Sequence, residues 1–82
     1  MDEPWDCMIR VEGALAPHWT AYLGGLRIAP AAGGGRGAGL TELRGELPDQ
    51  AAVREVLRTL HALGYPLHSL TCTPVRRPAG GG

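Results

Sequence analysis

Pro48-Asp49-Gln50-Ala51-Ala52-Val53-Arg54-Glu55-Val56-Leu57-Arg58-Thr59-Leu60-His61-Ala62-Leu63-Gly64-Tyr65-Pro66 is the stretch around which the rest of the chain arranges itself. Ala52, Val53, Val56, Leu57, Leu60 and Leu63 recur at spacings of three and four, the stripe of an amphipathic helix, while Gln50, Arg54, Glu55, Arg58 and Thr59 fall on the opposite side. Proline at or near the first helical position needs no N–H there, and Asp49 suits the positive end of the helix dipole. Gly64 followed by Tyr65-Pro66 predicts a left-handed cap and a stop.

On both sides of this helix the period changes from 3.6 to two. Leu40 to Leu47 places Leu43, Gly45 and Leu47 on one face and Glu42, Arg44 and Glu46 on the other, which predicts a strand with one face buried. Leu67 to Thr73 reads as a strand with Leu70 and Cys72 inward, before Pro74. Upstream, Leu26, Ile28 and Pro30 alternate with Arg27 and Ala29, and Cys7, Ile9, Val11 and Gly13 with Met8, Arg10 and Glu12. Between these two strands Pro17 opens a second, two-turn helix carrying Trp19, Tyr22 and Leu23 before Gly24-Gly25. So short a helix is marginal alone and must be held by docking its Trp19 and Leu23 side.

The order strand, short helix, strand, strand, long helix, strand predicts an α/β fold: a ferredoxin-like βαββαβ sandwich, a four-stranded antiparallel sheet with both helices on one face. The first and third strands should then be central and the second and fourth at the edges. Arg10, Glu12, Arg27, Glu42, Arg44 and Glu46 should share the helix-free face and pair across strands.

Eighty-two residues amount to one small domain, which buries only roughly 60% of its unfolded surface and leaves no room for a large enclosed active site. The domain is expected over 7–75, with a flexible tail at 1–6, a Gly-rich mobile connection at 31–39 and a disordered tail at 76–82. Eight Arg and no Lys against eight acidic residues give zero formal charge, which provides no long-range attraction to nucleic acid or to an anionic membrane. The start is acidic where a secretory leader is basic, and no apolar run is long enough to span a bilayer, so a cytoplasmic protein is expected. Cys7 and Cys72 stand far apart without the spacing of a secreted disulfide scaffold and are expected to be reduced, buried thiols.

One string of residues is familiar as a whole: Val11-Glu12-Gly13, Leu15 with Pro17 and Trp19, Gly25-Leu26, Gly45-Glu46-Leu47-Pro48-Asp49-Gln50-Ala51-Ala52, and Leu63-Gly64-Tyr65-Pro66-Leu67. It resembles a group of small bacterial proteins common in GC-rich genomes, over about residues 8 to 72. The missing Lys, Asn and Phe fit the same coding bias. The resemblance brings no activity, cofactor or catalytic residue with it. It does imply an Asp ahead of the helical proline where Ala16 stands, and loss of that cap should weaken the first helix by roughly 1 kcal/mol.

Candidate chemistry is sparse. Gly33 to Ala38 fits G-x-G-x-x-A but lies between two strands, whereas a dinucleotide site needs a strand before it and a helix after it. Cys7, His68 and Cys72 could approach one another on neighbouring strands, yet ligands one strand apart splay without a turn to gather them. Ser69, the lone serine, should turn away from the helices, and the acidic residues sit among arginines on an open face. That face carries no aromatic ring on which a base could stack. The polar-aromatic cluster His18, Trp19 and Tyr22 on the short helix remains as the candidate contact for a ligand or partner.

The expected function is a non-catalytic interaction or regulatory module acting by protein binding, either as a homodimer through a sheet face or edge, or with another protein. The alternative is a small-molecule-binding protein or cofactor-independent enzyme centred on His18, Trp19 and Tyr22. Neither reading involves a metal, a cofactor, nucleic acid or a membrane.

Overall fold

The computed structural model describes residues 4–31 and 39–75. Residues 1–3 of the expected amino-terminal tail, 32–38 of the Gly-rich connection with its G-x-G-x-x-A string, and the expected tail at 76–82 lie outside the described residues. Strands β1 (Trp5–Glu12), β2 (Arg27–Ala31), β3 (Leu40–Leu47) and β4 (Leu67–Pro74) form one sheet in the order β2-β3-β1-β4. Every neighbouring pair is antiparallel. The main helix, α1 (Gln50–Leu63), joins β3 to β4, and a 3₁₀ helix over Pro17–Tyr22 lies between β1 and β2.

The two-residue period decides which side chains are buried. Ile9 stands opposite Leu43 and Trp5 opposite Leu47, so Cys7, Ile9, Val11, Leu43 and Leu47 point to one face and are buried there. Val56 and Leu60 of α1 close over them, with Ala52, Val53, Leu57 and Leu63 packed at the margin. Asp49 begins the helix: its carboxylate accepts the Ala52 N–H at 2.9 Å, a cap that contributes about 1 kcal/mol. Gly64, at φ 88°, ends it by donating to the His61 carbonyl, and Tyr65 N–H reaches back to Leu60, which satisfies the last orphan carbonyls.

The short second element differs from the expected α-helix. It is a single 3₁₀ segment with Ala16 at its amino end making no side-chain cap, and none of its own residues is buried. The core is filled instead from its flanks, by Leu15 before it and by Leu23 and Leu26 after it. The chain reaches this position through Gly24, at φ 68°, where a Cβ would lie 2.7 Å from Leu47. With the apolar load carried outside the segment, nothing rewards another turn of α-helix.

One helix is about 10 Å wide and strands lie about 4.8 Å apart, so α1 covers roughly two strands of the four. It approaches the sheet most closely over β3, and the 3₁₀ helix lies against β2. That leaves β4 uncovered. The expected inward residue Leu70 is 38% exposed, Leu67 is 51% exposed, and Cys72 is only half-buried.

Two further expectations are corrected. The sheet begins at Trp5, opposite Leu47 and Pro74, so Trp5 and Asp6 belong to β1 and not to a flexible tail. Cys7 and Cys72 are joined in a disulfide and are not free thiols. They are direct partners in the β1–β4 register, with Cα atoms 4.1 Å apart.

Candidate functional site

His18, Trp19 and Tyr22 are brought together as the sequence suggests. The 3₁₀ turn stacks the rings along one side: His18 and Trp19 have centroids 5.1 Å apart and tilted planes, and Trp19 meets Tyr22 edge-on at 5.5 Å. Thr20 Oγ1 ties the turn by donating to the Pro17 carbonyl at 2.8 Å. Trp19 is half-buried against the core, whereas His18 is exposed and Tyr22 is 68% exposed. The cluster is a surface ladder of rings and not an enclosed pocket. A hollow beside it, lined by Gly13, Leu15, Pro17, Ile28 and Thr41, includes none of the three rings.

The rim of that hollow is fixed by a polar knot without a local sequence signature. Thr41, buried at the start of β3, donates from Oγ1 to the Gly13 carbonyl at 2.6 Å and accepts the Leu15 N–H at 3.1 Å. Tyr65 packs on Gly13 and donates its hydroxyl to the Ala14 carbonyl at 3.0 Å. Only the strand parity of Thr41, shared with Leu43, hints at its inward position.

The open face of the sheet carries Arg10, Glu12, Arg27, Glu42, Arg44 and Glu46, as the register requires. Glu42 lies between two arginines, at 3.3 Å from Arg10 and 3.9 Å from Arg44. Arg10 reaches Glu42 across from β1, whereas Arg44 lies two residues along β3 on the same face. The disulfide takes both thiols out of any thiolate chemistry. His68 falls where Arg10 pairs with Ser69 and Val11 with Leu67, which makes it the extra residue of a bulge.

A second surface was not anticipated. Between α1 and β4 two shallow grooves open on the same side of the molecule, one bounded by Trp5, Val53, Leu70 and Cys72, the other by Leu57, Tyr65 and Leu67. Successive turns of α1 supply Val53 and Leu57, so the grooves follow one helix edge. From Leu67 to Pro74 the strand has no charged residue, and that is the signal from which this surface could have been found.

A domain of unknown function, DUF8691, matches residues 6–71, which includes β1 from its second residue, β2, β3, α1 and the first five residues of β4. The chain belongs to this family. No curated protein and no solved structure matches it. The DUF8691 match covers the ring ladder, Cys7 and the first five residues of β4, and ends one residue before Cys72. No helix among the described residues is long and apolar enough to cross a membrane.

Proposed function

We propose that this DUF8691 chain is a non-catalytic binding module of ferredoxin-like βαββαβ build, which works by protein association and pairs first with a second copy of itself. The observation that carries this reading is the exposure of β4, a terminal strand of eight residues with no charge and two exposed leucines. Natural sheets guard long edges with charges, prolines or covering loops; on β4 Pro74 guards the end of the strand, while the stretch from Leu67 to Thr73 carries neither charge nor proline and is a template for another strand. Zero net charge supports the same reading, since copies carry no mutual repulsion. A composition without Lys, Asn or Phe supports a bacterial source with a GC-rich genome. If the chain works in the cytoplasm, as its sequence suggests, the Cys7–Cys72 bond belongs to the redox-responsive kind, because reducing pools there keep structural thiols open. Sedimentation equilibrium at micromolar concentration should give twice the 8.6 kDa chain mass. A species that stays monomeric up to millimolar concentration contradicts the reading.

The ring ladder favours a second reading, a site for a small planar molecule beside Trp19 with His18 as a hydrogen-bonding group. Adding such a ligand should then shift Trp19 fluorescence, and His18→Ala should weaken the response without unfolding the chain. Fluorescence unchanged across a panel of planar aromatic compounds contradicts it.

A further inference from the structure

In an antiparallel ladder, residues alternate between close pairs that exchange no hydrogen bond and wider pairs that exchange two. Cys7 and Cys72, with Cα atoms 4.1 Å apart, are a close pair. The parity is confirmed at the strand end, where Val75 N–H donates to the Pro4 carbonyl and Pro74, which has no N–H, stands opposite Trp5 in a close pair. Ser69, Thr71 and Thr73 therefore direct their backbone groups to β1, whereas Leu70 and Cys72 direct theirs outward. Among the described residues no strand pairs with the outer edge of β4, which presents the donors and acceptors of Leu70 and Cys72, flanked by the exposed Leu70 side chain and the grooves beside α1.

We infer that the interface of the homodimer is this edge, paired antiparallel with β4 of a second copy about a two-fold axis at Thr71. This rests on the homodimer reading and specifies it. In that register Leu70 of each copy faces Cys72 of the other, and each such pair exchanges both of its bonds, so every free group in the regular part of the edge finds a partner. Thr71 meets Thr71 of the partner copy as a close pair on the open sheet face, and the two Leu70 side chains become diagonal neighbours on the helix side. The regular ladder is confined to the stretch between Ser69 and Thr73, because in this register Pro74, whose backbone also faces outward but has no N–H, stands opposite the bulged His68 of the second copy, and no charge on β4 meets its own copy across the axis. A register centred on Leu70 would leave Cys72 opposite the bulged His68. The edge at β2 is less suited, being only five residues long with Pro30 inside it and Arg27 at its start.

A charge swap at one position tests this. Thr71 is exposed in the monomer, so Thr71→Lys and Thr71→Glu should both fold with an unchanged circular dichroism spectrum. Each alone should weaken self-association by roughly five- to tenfold, because like charges then stand directly opposite across the axis. An equimolar mixture should recover wild-type association as the heterodimer, which happens only where a residue faces itself. Wild-type association in both single variants, or no recovery in the mixture, overturns the Thr71 register while leaving the homodimer reading in place. A wild-type chain that is monomeric at millimolar concentration overturns both.

Discussion

The two edges of the sheet are held by different means. β2 is held by packing: Ile28 is half-buried, Leu23 and Leu26 are buried beside it, and the 3₁₀ helix leans on it. On β4, Cys72 is the only residue that is not exposed, and the strand is held by its ladder to β1 and by one covalent bond. The contrast shows how a small domain can keep one face of an edge strand uncovered. Hydrophobic burial fixes a strand by covering it, whereas a disulfide fixes it and leaves its surface free.

The largest effect expected from this contrast is on the bond itself. Closing a loop across a sequence separation of 65 removes about 4 kcal/mol of entropy from the unfolded chain. For a domain of this size that approaches the whole stability. Reduction, or Cys72→Ala, should lower the urea midpoint accordingly, and thiol reagents should label the native chain only after reduction. A midpoint indifferent to reductant would break the comparison at the β4 side.

Packing residues should dominate at the β2 side. Leu23→Ala removes a fully buried side chain and should cost about 2 to 5 kcal/mol, against about 1 to 2 kcal/mol for the half-buried Trp19→Ala. Thermal melts of the two variants check the order. If the Trp19 change is the larger, the ring and not the flanking leucines anchors the 3₁₀ helix. The smallest effect belongs to the open face, where Glu42→Gln should cost less than about 1 kcal/mol and less still at high salt.

Much of this was legible in the sequence. The parity of Ile9, Val11, Leu43 and Leu47 named the core, the stripe from Ala52 to Leu63 named the covering side of α1, and Gly64 named its end. The charged side of the sheet followed from the same parity. The two cysteines could be placed on facing strands, but their redox state depends on conditions that residue pattern does not encode. The spacing of the short helix puts Trp19 and Leu23 together on its docking side; in the 3₁₀ form Trp19 is only half-buried and the buried contacts come from Leu23 and Leu26. The openness of β4 was hidden by its own alternation, since Leu70 and Cys72 read as inward whether or not a helix reaches over them. For the candidate site, local sequence sufficed to cluster His18, Trp19 and Tyr22. The Thr41–Gly13 and Tyr65–Ala14 bonds join distant segments and left no local trace.

The most direct measurement is amide hydrogen exchange along β4, residue by residue, at several protein concentrations. At high dilution Ser69, Thr71 and Thr73 should be protected by β1 while Leu70 and Cys72 exchange freely. As concentration rises, protection should appear at Leu70 and Cys72. Protection at Leu70 and Cys72 that is the same at every dilution, or their free exchange at the highest concentration, would contradict the account of β4 as a bonded strand with an open outer edge.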